Sequence, residues 1–294
     1  MRVLVTGGSG RLGRSVTAVL AERGHHVTSA DTAPAHQPAG VDGVVADLLD
    51  PRQLRQTFDR AAPEAVVHLA GIAVPFARPD VETLQVNTGL AWAVLSAAIE
   101  HGARSAVAAS SPTVYGYNTP SWKPLYLPLD EDHPVAPWHA YGLSKTIIED
   151  TVRALARTAP GCVLSCVRPG YVVAPQEWEG APTQQGHTMA QRLADPALAA
   201  TSLFNYIDAR DAAELFALAA ENPDRIESGQ VFNAVAPDPL APGPVDELMA
   251  RFHPAAAEAA AALADGSAVF SSERAHTTLG WRPRRTWREQ LRTP

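Results

Sequence analysis

A glycine-rich segment near the start of the chain constrains the fold more than any other feature. Residues 6–13 read TGGSGRLG, directly after the apolar run Val3–Val5 and directly before Leu12–Arg23, where apolar residues recur at helical spacing. This order is typical of a strand, a tight turn and a helix. At such a junction the free N–H groups of the helix N-terminus favour negative charge.

Three glycines of this segment each have a role in a dinucleotide-binding turn. Gly7 permits the tight turn, Gly10 lets the backbone approach a pyrophosphate, and Gly13 lets the helix pack close to the strand. We therefore expect the loop, with Arg11 and Leu12, to hold the pyrophosphate of a dinucleotide.

Short apolar runs alternate with helical patterns along much of the chain. The predicted strands are Val3–Val5, His26–Ala30, Gly43–Ala46, Ala65–Leu69, Ser105–Ala109, Val163–Val167 and Gln230–Asn233. The predicted helices are Leu12–Arg23, Pro51–Arg60, Val81–His101, Tyr141–Ala159, Asp211–Glu221 and Ala255–Ala264. Strands separated by helices imply the α/β class, a Rossmann-type doubly wound parallel sheet whose ligands lie beyond the carboxyl ends of its strands.

The composition of the sequence changes after the sixth predicted strand, where proline becomes frequent and the helical stretches become rich in alanine. We therefore divide the chain into a Rossmann domain at residues 1–170, to which 201–233 return, and a smaller substrate-binding region at 171–200 and 234–294. The smaller region is the expected cap over the substrate.

Composition narrows the classes of partner. The 294 residues carry a formal net charge of −7 and no block of basic residues, so binding to nucleic acid or to an anionic membrane has no electrostatic support. No apolar stretch approaches the roughly 20 residues that span a bilayer, and no signal peptide precedes the first strand pattern, so we expect a cytoplasmic protein. Small molecules are the expected partners, and we predict no metal site.

A second motif, Tyr141-Gly-Leu-Ser-Lys145, stands at the start of a predicted helix. Residues four apart share a helix face, so the Lys145 ammonium is expected to lower the pKa of Tyr141 toward that of a useful general base. Ser111 lies in Ser110-Ser111-Pro-Thr113-Val-Tyr115-Gly116, which follows the strand ending near Ala109. Its hydroxyl would therefore lie at the carboxyl edge of the same sheet.

The glycine loop, the serine segment and the Tyr-Lys pair together resemble the extended short-chain dehydrogenase/reductase family, also called the NAD-dependent epimerase/dehydratase family. Weaker matches in the family's order extend the resemblance over nearly the whole chain: Asp47-Leu48, His68-Leu69-Ala70-Gly71, Asn87, Arg168-Pro169-Gly170, Tyr206-Ile-Asp208 and Leu279-Gly-Trp-Arg-Pro283.

The resemblance implies a catalytic trio and a set of cofactor contacts. Tyr141 would exchange the proton of a secondary alcohol, Lys145 would lower the tyrosine pKa and hold the nicotinamide ribose, and Ser111 would hydrogen-bond the reacting oxygen. The implied cofactor-binding residues are Gly7, Gly10, Arg11, Leu12, Gly13, Asp31, Asp47, Leu48, Leu69, Ala70, Gly71, Asn87, Tyr141, Lys145 and Pro169.

Cofactor choice depends on Asp31, at the end of the second predicted strand. An acidic side chain there accepts from the ribose 2′-OH and repels a 2′-phosphate, which favours NAD. Arg11 could instead reach a 2′-phosphate, so NADP stays possible.

Departures from the family pattern bear on the substrate. Pro112-Thr113 stands where sugar-nucleotide dehydratases of the family carry Asp-Glu, and Tyr171 and Ala199–Asn205 stand where epimerases carry nucleotide-binding handles. We therefore expect net oxidation or reduction of a sugar-like or sugar-acid molecule, as in the similar uronate dehydrogenases. The candidate substrate residues are Thr113, Tyr171, Gln176, Trp178 and Arg192, with Tyr117 and His187 as further candidates.

Two other functions stay open. An NAD-dependent epimerase acting on sugars or nucleotide sugars would use the same trio through a transient keto intermediate. A non-catalytic NAD(P)-binding sensor would commonly lack Tyr141 or Lys145, and both are present. The family resemblance also implies a homodimer, formed through the helices Val81–His101 and Tyr141–Ala159.

Overall fold

A parallel sheet of seven strands forms the centre of the computed structural model, which describes residues 1–33, 38–119, 121–263 and 266–291. The strands are β1 (Arg2–Thr6), β2 (His26–Asp31), β3 (Val41–Val45), β4 (Ala65–His68), β5 (Ser105–Ala109), β6 (Val163–Pro169), β7 (Val172–Val173), β8 (Ile207–Asp208) and β9 (Gln230–Ala234). Their order in the large sheet is β3-β2-β1-β4-β5-β6-β9, and β7 pairs with β8 separately. The order reverses between β1 and β4, where a doubly wound sheet binds its ligand.

Helices cover both faces of this sheet, as the alternating pattern predicts. Their bounds are α1 (Arg11–Glu22), α2 (Pro51–Ala61), α3 (Asp80–Glu100), α4 (Ala140–Ala156), α5 (Pro175–Trp178), α6 (Met189–Ala194), α7 (Ala197–Ala200), α8 (Ala209–Glu221), α9 (Val245–Phe252), α10 (Ala257–Ala260), α11 (Glu273–Leu279) and α12 (Trp287–Gln290). Single 3₁₀ turns span Pro112–Tyr115, Pro223–Arg225 and Pro254–Ala256.

Two apolar layers fix the helices to the sheet. One layer packs α1, α8 and α11 on one face, around Leu20, Phe216 and Trp281. The other packs α2, α3 and α4 on the opposite face, around Phe58 and Leu95. The Rossmann-type α/β fold predicted from the sequence is confirmed.

A third apolar cluster lies beyond the carboxyl edge of the sheet. It joins residues of 171–206 and 235–270 with Tyr115, Tyr117, Trp122 and Leu129, which belong to the segment between β5 and α4. The sequence assigned that segment to the Rossmann domain. Conversely α11 and Trp281, assigned to the smaller region, pack in the layer with α8. The division into two regions stays a prediction. The packing of these two segments concerns where its boundaries lie.

One predicted helix is wrong in extent. The alanine run Ala255–Ala264 forms a 3₁₀ turn and the four-residue α10, and Ala264 lies outside the described residues. Alanine favours a helix, but its methyl side chains bury little apolar area, so a long helix here would gain little stabilisation from packing. Ala256 and Ala260 are buried in the third cluster. Within the described ranges, none of the helices combines the length and apolar character needed to cross a bilayer.

Candidate functional site

One large cleft, of about 650 Å³, opens at the carboxyl edge of the sheet. The glycine loop and the serine, tyrosine and lysine of the second motif all line it. The predicted site residues found in its wall are Gly7, Gly10, Arg11, Leu12, Gly13, Asp31, Asp47, Leu48, Leu69, Ala70, Gly71, Ser111, Thr113, Tyr117, Tyr141, Lys145, Pro169 and Tyr171. Residues from distant parts of the chain therefore share one ligand-sized space.

Close backbone contacts explain why the loop is built from glycine. Gly7 has φ +72° and donates its N–H to the carbonyl of Ala30 at 2.8 Å. A Cβ on Gly7 would lie 2.6 Å from the backbone nitrogen of Ala70, and one on Gly13 would collide with the Gly7 carbonyl oxygen. Among the residues that the structure describes, none caps the N-terminus of α1 with its side chain, so the first N–H groups after the N-cap residue Gly10 are free to face a ligand.

Asp31 is fixed at the end of β2 and lines the adjoining wall of the cleft. Its carboxylate accepts from the backbone N–H of Ser9 at 3.0 Å and of Thr32 at 2.8 Å. These two bonds hold the carboxylate next to the glycine loop and leave acceptor capacity on both oxygens.

Arg11 turns toward the cap instead of standing free in the loop. Its Nη2 donates to Glu177 Oε2 at 2.6 Å and to the carbonyl of Val172 at 3.1 Å, and Nη1 pairs with Glu177 Oε1. The Glu177 side chain is 1% exposed. No sequence pattern indicates this partner, because Glu177 lies in the irregular cap segment.

Ser111, Thr113, Tyr141 and Lys145 meet in the other half of the cleft. The 3₁₀ turn at Pro112–Tyr115 lets Ser111 Oγ accept from the Thr113 N–H at 3.2 Å and from Thr113 Oγ1 at 3.0 Å. Lys145 Nζ donates to the carbonyl of Ala109 at 2.9 Å and lies 5.6 Å from the centre of the Tyr141 ring. Both α4 side chains are buried.

The pKa of Tyr141 differs from the sequence-based expectation. Burial raises it to about 12, and the Ser111 hydroxyl opposes that rise. Burial also lowers the pKa of Lys145 to about 8, so most of the amine stays charged at pH 7 but loses its charge at a lower pH than an exposed lysine does. Desolvation therefore outweighs the predicted assistance from Lys145, and Tyr141 is held in its neutral, proton-bearing form.

A buried ion pair lies directly behind this half of the site. Arg168 donates to Glu149 through Nε and Nη2, both at 2.7 Å, and Ser110 Oγ donates to the same carboxylate at 2.6 Å. Arg168 Nη1 also donates to Tyr115 Oη at 2.7 Å. Burial alone would raise the pKa of Glu149, but the bonds and charge of Arg168 hold it below its usual range. The network ties α4, β6 and the residue before Ser111 into one rigid support.

Sequence reasoning missed the role of Glu149 in this support. The signal was available, because Glu149 follows Lys145 by four residues and so continues the same helix face. Arg168 gave a similar signal, because it is a charged residue directly after the apolar run Val163–Val167.

Asn87 also acts behind the wall and does not line the cleft. It accepts from the Ile72 N–H at 2.7 Å, and its Nδ2 donates to the Ile72 carbonyl at 3.1 Å and to Ser144 Oγ at 3.0 Å. Asn87 thus connects the Gly71 loop to the helix that carries Tyr141. It therefore supports the wall of the cleft from behind.

The candidate substrate residues occupy different environments. Thr113, Tyr171 and Tyr117 line the cleft, whereas Gln176 is exposed outside it. Trp178 is buried and donates to Asp208 at 2.7 Å, which places it in the packing of the cap. The fully buried Arg192 stacks on Tyr171 with its guanidinium carbon 4.2 Å from the ring centre, and His187 is partly exposed.

Comparison with known proteins places the chain among NAD-dependent enzymes. The model of the NAD dependent epimerase/dehydratase family matches residues 3–234. UDP-glucose 4-epimerase of Corynebacterium glutamicum is 28% identical over 97% of this chain and 92% of its own length. The mouse enzyme of that name is 31% identical, but the match covers 53% of this chain and about half, 49%, of the mouse protein.

A solved structure has the same architecture. A short-chain dehydrogenase/reductase superfamily protein from Agrobacterium tumefaciens, with bound NAD, superposes with a TM-score of 0.71 at 26% identity. The alignment covers 98% of this chain and 94% of the other. The likeness therefore extends through the sheet and the cap.

Proposed function

Because the chain belongs to the NAD dependent epimerase/dehydratase family, we propose that it is an NAD-dependent oxidoreductase acting on a sugar-like or sugar-acid molecule. It would move hydride at a secondary alcohol or ketone. The observation that carries the proposal is that the glycine loop and Ser111, Tyr141 and Lys145 line the same cleft.

The residues of the cleft fit a dinucleotide. The glycine loop leaves no room for a Cβ at Gly7 or Gly13, and the uncapped N-terminus of α1 offers N–H groups to a pyrophosphate. Asp31 is placed to accept from a ribose 2′-OH. When bound, the nicotinamide supplies or accepts the hydride.

Arg11 supports NAD over NADP. Its ion pair with Glu177 engages the cation that could otherwise bind a 2′-phosphate, while the nearby Asp31 carboxylate would repel that phosphate. NADP would have to break the first interaction and overcome the second.

Tyr141, Ser111 and Lys145 have different roles in the proton transfer. Tyr141, with its high pKa, donates a proton to the oxygen of a ketone during reduction, or accepts one in the reverse direction once its phenolate is stabilised. Ser111, to which Thr113 already donates, hydrogen-bonds the same oxygen. Lys145 favours the tyrosinate when it is protonated.

The cap wall favours a substrate without a nucleotide. In Ala199–Asn205, Leu203 and Phe204 are fully buried in the third apolar cluster, and Thr201, Ser202 and Asn205 line the cleft. This stretch therefore offers hydroxyl and amide groups and no cation for a diphosphate.

A second candidate function is epimerisation of a UDP-sugar. It is favoured by the Corynebacterium relative, which matches nearly the whole chain. The same trio would then oxidise and re-reduce one carbon, so the cofactor would undergo no net change.

Absorbance of the reduced nicotinamide tests the two candidates together. Free sugars, uronic acids and UDP-sugars are each supplied with NAD or NADP, and epimerised products are followed in parallel by chromatography. Net NADH formation with a free sugar or uronic acid supports the first candidate. Turnover of a UDP-sugar without net reduction would replace it with the second, and no turnover of any substrate class would favour the sensor function.

We also propose that two copies associate through α3 and α4. These two helices pack against each other, yet they leave the apolar side chains of Val81, Trp92, Leu143 and Ile147 exposed to water. Apolar surface exposed in this way is typical of an interaction site. Burial of these side chains against a second copy would remove that surface from water.

A further inference from the structure

Unpartnered polar atoms concentrate in one segment of the cap. Among the described residues, the buried side-chain atoms of this segment that lack a hydrogen-bond partner are Tyr171 Oη, Thr183 Oγ1, Nε and Nη2 of Arg192, and Glu177 Oε1, which is nevertheless in ion contact with Arg11. Buried donors of this kind are costly, roughly 1–3 kcal/mol each and more when charged. Their grouping within residues 171–192 points to a ligand that satisfies them.

Arg192 is the charged member of this group. Its side chain is fully buried, and burial lowers the pKa of its guanidinium. The two groups that hold it are the Tyr171 ring, 4.2 Å away, and Gln185, whose Oε1 accepts from Nη1 at 2.5 Å. Tyr171 and Gln185 both line the cleft, so Arg192 lies directly behind its cap wall.

The unpartnered atoms are arranged for an oxyanion. Nε and Nη2 occupy the same edge of a guanidinium, the edge that binds a carboxylate or phosphate through two parallel hydrogen bonds. Stacking on Tyr171 fixes the plane of that edge. Only the third nitrogen, Nη1, is used within the described part of the chain.

Charge balance leads to the same ligand class. Glu177 is the nearby carboxylate that stabilises the charge of Arg192, but it is already paired with both terminal nitrogens of Arg11. The two arginines and one glutamate leave one buried positive charge without a partner of its own. Such a charge is expensive unless an anion joins it.

We infer that Arg192 recognises an anionic group of the substrate, a carboxylate or a phosphate, and so selects substrates by charge. The inference rests on the proposed function, since it assigns the substrate end of the same cleft. Gln185 has an exposed side chain, and its amide oxygen accepts from Nη1, the nitrogen that lies outside the Nε and Nη2 edge assigned to the anion. Displacement of Gln185 from Arg192 would open the way from the cleft.

Calorimetric binding with saturating NAD tests the inference without turnover. The probes are D-glucuronate against D-glucose, for a carboxylate, and UMP against uridine, for a phosphate. We expect one anion to bind at least tenfold more tightly than its neutral counterpart. The pair that shows this difference identifies the source of the anion.

Substitution of Arg192 then assigns the preference to this side chain. Arg192→Met should abolish the difference and leave the neutral probe unchanged, whereas Arg157→Met, an exposed control with the same change in net charge, should preserve it. Arg192→Lys retains the charge but not the paired donors, and should lose most of the preference. Arg192→Met is informative only if it binds NAD and melts cooperatively. If it does not, two other measurements test the inference: the preference of the lysine variant, and competition by malonate or inorganic phosphate in the unmodified protein.

Several results would overturn the inference. The first is that both anionic probes bind less than twofold more tightly than their neutral counterparts. The second is that either folded Arg192 variant keeps the preference of the unmodified protein. The third is that malonate and inorganic phosphate both fail to compete with the anionic probe. Failure of hydride transfer with the anion preference intact would instead contradict the proposed reaction alone.

Discussion

The buried pair of Glu149 and Arg168 gives a stability prediction whose size can be worked from its contacts. In Glu149→Gln the side chain keeps its shape but loses its charge. Arg168, which is 1% exposed, then loses the carboxylate that binds two of its nitrogens, although Glu131 still interacts with its charge. Removing one partner of such a pair costs about 3–5 kcal/mol. The glutamine oxygen can still accept one bond, from Ser110 or Arg168, which offsets about 1 kcal/mol.

We therefore expect Glu149→Gln to lower the free energy of unfolding by about 2–4 kcal/mol at pH 7. Urea unfolding followed by far-UV circular dichroism measures this difference. Asp150→Asn is the matched control, since Asp150 is 67% exposed and its bond to Arg153 lies at the surface. Such a pair contributes about 0–1 kcal/mol.

The pH dependence gives an independent check. The pKa of Glu149 is lowered in the folded protein, so its contribution is complete above the ordinary value of 4.5 and is lost as pH falls through the folded-state pKa. The gap between the parent and Glu149→Gln should therefore narrow only below about pH 4.5. A loss under 1 kcal/mol at pH 7, or one no larger than that of Asp150→Asn, would refute the reasoning.

Three further predictions concern the loop, the cofactor and the assembly. Gly13→Ala should lower stability by about 1–3 kcal/mol and weaken NAD binding, because its Cβ meets the Gly7 carbonyl; Gly161→Ala, with open space around it, should do neither in the same urea and binding assays. Asp31→Asn should reduce the preference for NAD over NADP by about tenfold, or about 1.4 kcal/mol, in paired titrations, and an unchanged ratio would remove Asp31 from cofactor selection. Trp92→Glu should convert a dimer to a monomer in light scattering, whereas a parent protein that is already monomeric would contradict the proposed association.

The sequence predicted the sheet because its information is local. Most strands of the large sheet are short apolar runs next to a helix, and the strand, turn and helix around the glycine loop are consecutive in the chain, although Gly7 also contacts Ala30 and Ala70. The placement of Ser111, Tyr141 and Lys145 also followed, because Ser111 comes two residues after the end of β5 and the other two share a helix turn. Their meeting in one cleft then depends only on strand order.

The rest of the site depends on contacts between distant segments. The bond between Arg11 and Glu177 joins residues 166 positions apart, and no periodicity marks either partner. The pKa of Tyr141 was expected to fall because spacing reports a neighbour's charge, whereas the structure also reports how deeply both groups are buried. Arg192 could be named as a candidate, but its unpartnered edge is visible only once burial is known.

The central claim is that Tyr141 transfers the proton in an NAD-dependent reaction, and Tyr141→Phe tests it most directly. The turnover number for the best substrate of the screen and the dissociation constant for NAD are measured in both proteins. We predict a fall in turnover of about 10²–10⁴-fold, with NAD affinity unchanged within about threefold, because the hydroxyl alone is removed. A phenylalanine variant that retains turnover within a few-fold of the parent would contradict the account.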